Sequence, residues 1–80
     1  MLVRDVKKGM ILHLADSGRN CVIQALEDVR YTDCNGKPGS YVEFNAVDLV
    51  SGNKFQVGAA NPPRPYAPGL TRIGWACNFS

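Results

Sequence analysis

The segment Asp33-Cys34-Asn35-Gly36-Lys37-Pro38-Gly39-Ser40 decides how the chain is read. Asn-Gly supplies the positive φ angles of a tight β-turn, and Pro-Gly supplies a second break directly after it. Apolar segments flank the cluster on both sides. It therefore predicts the tip of a long hairpin, with Lys37 pushed into solvent. A second turn signal, Ser51-Gly52-Asn53, follows one strand length later.

Working outward, Val42, Phe44 and Ala46 alternate on one face of the segment Tyr41 to Val50, and Val47 and Leu49 continue on the other parity. Such a phase shift predicts a β-bulge where a strand bends round a small barrel. Past the second turn, Lys54-Phe55-Gln56-Val57 reads as a short strand with Phe55 and Val57 facing inward.

Upstream, Asn20 to Thr32 admits two periods. Val22, Ala25, Leu26 and Val29 have helical spacing, with Asn20 available as a cap. Cys21, Ile23, Ala25, Val29 and Tyr31 fit a period of two, with Glu27 out of step. Glu27 and Asp28 would lie at the unfavourable end of a helix dipole, and the Asn-Gly turn asks for strands on both sides. The segment is read as one long, bent strand. Before it, Met10 to Leu14 reads as a first strand entered through Gly9 and left through the turn cluster Asp16 to Asn20.

At the other end, the prolines of Asn61 to Gly69 lack the amide donor that a central strand or helix needs, so residues 61–69 form an ordered, polyproline-like connection. Ile73, Trp75, Cys77 and Phe79 then alternate strictly with Arg72, Gly74, Ala76 and Asn78, which predicts a closing strand with Trp75 in the core. Five short strands with tight turns predict an all-β fold, a small five-stranded SH3-like barrel forming a single domain over residues 1–80. An OB-fold fits less well, because only Ser51-Gly52-Asn53 separates the strands between which that fold places a helix.

Composition bounds the function. An apolar share of 45% suits a globular chain, and a chain of 80 residues buries only roughly 60% of its unfolded surface. The net charge of +2 is weakly basic, compatible with nucleic acid without demanding it. Three cysteines without a C-x-x-C pair argue against a disulfide framework and fit a reducing cytoplasm. The opening residues lack the apolar run of a signal peptide, and no stretch approaches the roughly 20 apolar residues of a membrane span.

The spacing of His13, Cys21, Cys34 and Cys77 offers no local ligand pair, so no metal or other cofactor is expected. A cysteine nucleophile would have only His13 as a base, and neither a carboxylate pair nor a phosphate-binding glycine loop is visible. The chain is therefore expected not to be an enzyme. Lys37 on a rigid tip suits a phosphate or an acidic partner. Arg30 and Lys54 would join it if the hairpins stack, with Tyr31 and Tyr41 as stacking platforms. The stretches Pro62-Pro63-Arg64-Pro65 and Pro65-Tyr66-Ala67-Pro68 are similar to ligands of SH3-type domains, although a connection bracketed by strands and pinned by Tyr66 is the simpler reading.

Four stretches carry a family resemblance: Lys8-Gly9-Met10-Ile11, Cys21-Val22-Ile23, Gly36-Lys37-Pro38-Gly39-Ser40-Tyr41-Val42 and Asp48-Leu49-Val50-Ser51-Gly52-Asn53-Lys54. Together, over roughly Val6 to Val57, they resemble the N-terminal KOW-like domain of elongation factor P and its archaeal and eukaryotic relatives. The resemblance implies that Lys37 matches the tip lysine which that family carries, in modified form, to the peptidyl-transferase region of the ribosome. Pro38 stands where the family has glycine, Asp33 and Cys34 stand where it is more basic, and the proline connection replaces its further barrels. A module of shared architecture is expected, and a working translation factor is not. The first functional expectation is contact with RNA or a ribonucleoprotein through the Lys37 hairpin. The second is a small protein-binding module or inhibitor of the kind phages and mobile elements encode.

Overall fold

The computed structural model describes residues 1–16, 18–65 and 67–74. Six strands account for most of them: β1 (Ile11–Asp16), β2 (Arg19–Ala25), β3 (Arg30–Cys34), β4 (Lys37–Asp48), β5 (Lys54–Ala60) and β6 (Gly69–Gly74). All pairings are antiparallel, and the described residues contain a 3-10 turn at Val3–Asp5 and no α-helix. The fold is all-β, a single sheet curled into a half-barrel.

β4 is the strand to which most of the others attach. Along one edge it pairs with β5 in unbroken register, Tyr41 opposite Ala60 through Val47 opposite Lys54. Along its other edge the first half pairs with β3, from Cys34 opposite Lys37 to Arg30 opposite Glu43. The second half pairs with β2, Ala25 opposite Ala46 and Ile23 opposite Asp48. β2 then pairs with β1, and β1 with β6.

The segment Asn20 to Thr32, expected as one bent strand, is therefore two strands on the same edge of β4. Leu26, Glu27, Asp28 and Val29 lie between them and stand against only Phe44 and Asn45. Glu27 falls out of the period of two because it sits in this break. The break also answers the pairing of Asn45: its carbonyl accepts from the Leu26 amide at 2.9 Å, and its amide donates to a Glu27 carboxylate oxygen at 2.9 Å. The other Glu27 oxygen accepts from the Arg30 guanidinium, and Asp28 accepts from the Lys8 amide at 2.7 Å. Side-chain acceptors thus replace the ladder bonds that a bulge removes.

The bulge expected between Ala46 and Val47 is absent, since the register with β5 runs straight through both. Leu49 changes parity because it has left the strand. Asp48 builds that turn, its carboxylate accepting from the amides of Val50 at 2.8 Å and Ser51 at 3.1 Å, while its carbonyl accepts from the Gly52 amide at 2.8 Å. The irregularity of β4 lies at its start instead, where Pro38, Gly39 and Ser40 stand against Asp33 alone.

The alternation predicted for Ile23 and Ala25, for Val42, Phe44 and Ala46, and for Val57 delivers these residues to one core with Leu12, Leu14 and Leu70, against which Cys21 and Phe55 pack partly buried. Val3, Val6 and Met10 complete it from the residues ahead of β1, of which Val3 and Val6 show no period that would identify them. Ile73, expected to face inward, is 53% exposed, and Leu70 is the core residue of β6. Trp75, Cys77 and Phe79 lie outside the described residues, as does Tyr66. The described residues contain no helix long and apolar enough to cross a membrane.

The Glu27 carboxylate is held below the ordinary carboxylate range, first by its bond from Arg30 and next by the Asn45 amide. A depressed carboxylate adds stability above its unfolded pKa of about 4.3, and this is lost as pH falls through its lower folded value. Urea unfolding of Glu27→Gln should show a midpoint below that of the parent at neutral pH. The gap should narrow below about pH 4; an equal gap on both sides would show that the carboxylate charge is not what holds the break.

Candidate functional site

The hairpin tip is built as its residue types require. Asn35 and Gly36 have φ of 53° and 75°, and Cys34 pairs with Lys37 across them. Gly39, at φ 69°, lets β4 step out of register just after the tip. Ser40 closes the irregularity: its hydroxyl accepts from the Cys34 amide at 3.0 Å and shares its proton between the carbonyls of Lys37 at 2.6 Å and Cys34 at 3.0 Å. Asn61 then ties the proline connection to the same point. Its amide donates to the Ser40 carbonyl at 3.0 Å, and its side-chain nitrogen donates to the Gly39 carbonyl at 3.0 Å.

Between the tip and the connection lies a cleft of about 310 Å³ lined by Cys34, Asn35, Lys37, Ser40, Tyr41, Ala60 and Arg64. Lys37 and Arg64 are both exposed, and neither forms an ion pair with an acidic residue among the described residues. Asp33 does not line the cleft, although it adjoins Cys34 in sequence. A second cleft of about 330 Å³ lies between the Asp48 turn and β2, lined by Asn20, Cys21, Asp48, Ser51, Asn53 and Phe55, with no cation among its described lining residues. The described residues gather no three His, Cys, Asp or Glu side chains that could hold a metal.

The five residues singled out from the sequence divide. Lys37 and Tyr41 share the tip cleft. Arg30 does not join them as a free cation: its guanidinium is bonded to Glu27 and lies 3.6 Å from Glu43. Its pKa is raised, first by the Glu27 bond, so its charge is engaged in holding the β2–β3 break. Lys54 pairs opposite Val47, ten residues along β4 from Lys37, so the three cations are not gathered into one patch.

The tyrosines also separate. Tyr31 stands opposite Val42, one position from Tyr41, so by the period of two they occupy opposite faces of the sheet and cannot form a joint stacking platform. Tyr31 is 55% exposed on β3, and Tyr41 is half-buried. The Tyr41 ring crosses the outer face of β5 over Gly58. A β-carbon at position 58 would lie 2.7 Å from Cζ and 2.8 Å from Cε2 of that ring. Gly58 therefore makes room for Tyr41 beside the cleft.

Arg64 is the residue that reading the chain left out of the site. Its place depends on the Asn61 contacts, which no local pattern announces; the only signal was a cation held between two prolines, Pro63 and Pro65.

Compared with known proteins, the chain matches no protein-family model, no curated protein and no solved structure.

Gly58→Ala should push the Tyr41 ring aside at a cost of about 1–3 kcal/mol, the usual range for overpacking. Chemical denaturation would measure the loss, and the ring-proton resonances of Tyr41 should shift. A variant with unchanged stability and unchanged Tyr41 resonances would contradict the close approach of ring and strand.

Proposed function

We propose that the curled sheet is an SH3-like barrel of KOW type and that it acts as a non-enzymatic binding module in the cytoplasm, contacting RNA or a ribonucleoprotein through the Lys37 hairpin. The observation that carries this reading is the tip itself. Lys37 projects from a turn whose base is fixed by Ser40, and no carboxylate neutralises it among the described residues. A phosphate oxygen is the natural counter-charge for an exposed ammonium, and a rigid base lowers the entropy lost on contact. Arg30 and Lys54 are not part of the contact, because one is paired internally and the other lies at the far end of β4.

A second reading is supported by a different observation. Among the described residues β3 ends the sheet, and it carries the exposed Tyr31. An edge strand with an exposed aromatic suits a protein partner that adds a strand, as an inhibitor of mobile-element origin would.

Salt separates the two. Binding of a single-stranded RNA should weaken as salt rises from about 50 to 200 mM, and Lys37→Glu should flatten the dependence of log K on log salt by about 0.7 or more. Salt-insensitive binding, or RNA binding that Lys37→Glu leaves intact, would overturn the RNA reading. A complex that survives nuclease and is lost in Tyr31→Ser would support the protein-binding one.

A further inference from the structure

We infer that the cleft between the hairpin tip and the proline connection is a two-cation clamp for the backbone of single-stranded RNA, with Arg64 as its second jaw; this rests on the RNA reading of the Lys37 hairpin. Lys37 and Arg64 approach the cleft from segments 27 positions apart in the chain, and Asn61 is what holds those segments together. Asn61 uses its backbone amide and its side-chain nitrogen on Ser40 and Gly39, and its side-chain oxygen lies 3.5 Å from the Arg4 guanidinium. Arg64 follows two prolines and precedes a third, which restricts the backbone that carries it. The Ala67 amide donates to the Arg64 carbonyl at 3.0 Å.

The ligand class follows from the walls. Lysine offers a point charge and arginine a planar fork of donors, both suited to phosphate oxygens. Asn35, which also lines the cleft, can donate or accept at a base or sugar edge, and Tyr41 supplies an aromatic wall. The volume of about 310 Å³ is at the lower limit of ligand clefts, so it suits one nucleotide unit at a time. A duplex, whose bases are stacked inside, could present only its phosphates to it. A single strand can present phosphate and base together.

The test is a binding titration of the whole chain with a fluorescently labelled single-stranded RNA of about 12 nucleotides, across a range of salt. Lys37→Ala and Arg64→Ala are compared singly and together. Each single variant should reduce the salt slope by about 0.7, and the double variant by about twice that. An unlabelled RNA duplex of the same sequence should compete less well than the single strand. Both side chains are exposed, so unchanged urea midpoints should accompany the losses. A loss in Lys37→Ala with none in Arg64→Ala would overturn the clamp while leaving the hairpin reading standing. A loss in neither would overturn both. Equal competition by the duplex would overturn the single-strand assignment alone.

Discussion

One strand has to satisfy three neighbours, and the rest of the fold follows from that. β4 carries β5 along one edge and shares its other edge between β3 and β2. Backbone donors and acceptors buried without partners are costly, so each residue of β4 between its two halves must find a bond somewhere. Phe44 and Asn45 face the interval between β2 and β3 on that edge. The chain meets this demand by breaking the edge over Leu26 to Val29 and bringing the Leu26 amide to the Asn45 carbonyl and the Glu27 carboxylate to the Asn45 amide. Arg30 then neutralises Glu27 and reaches toward Glu43 on β4 itself. The curl of the sheet and this charged clamp are two aspects of the same geometric requirement, because two neighbours sharing one edge must diverge where they part.

That requirement explains what could and could not be read from the amino-acid sequence. Phe44, Val57 and Ile23 were placed in the core by alternation alone, since the pleat leaves a strand residue only two directions. Asn35-Gly36 was legible because its two positive φ angles are a local property. Glu27 was visible only as an exception to the period, and its meaning depended on Asn45, 18 positions away. Leu49 imitated a bulge because a turn residue and a bulged residue both change parity, and only the Asp48 hydrogen bonds distinguish them. Val3 and Val6 reach the core from a short 3-10 turn, which has too few residues to show any period.

The candidate site divides along the same line. Lys37 was legible because a tip lysine is exposed whatever the sheet beneath it does. The grouping with Arg30, Lys54 and Tyr31 depended on how the strands are arranged, and the arrangement disperses them. Arg64 enters by the converse route: its local sequence suggested a stiff linker or an SH3-type ligand, and two polar contacts of Asn61 bring that segment to the hairpin.

The distribution of charge separates structural from available cations more sharply than their number does. Arg30 is committed to two carboxylates, and removing it would leave Glu27 without its main partner. Lys37 and Arg64 have no such commitment among the described residues, yet the backbone beneath each is fixed, by Ser40 in one case and by prolines in the other. A surface charge on a flexible side chain contributes little by itself, because the entropy of holding it offsets a screened attraction. Two such charges on fixed bases, facing one cleft, lose less on binding and act on the same ligand. A net charge of only +2 therefore does not argue against a phosphate site here. The attraction is local, and four of the seven carboxylates are engaged elsewhere: Glu27 and Glu43 with Arg30, Asp28 with the Lys8 amide, and Asp48 with its own turn, while Asp33 does not line the cleft.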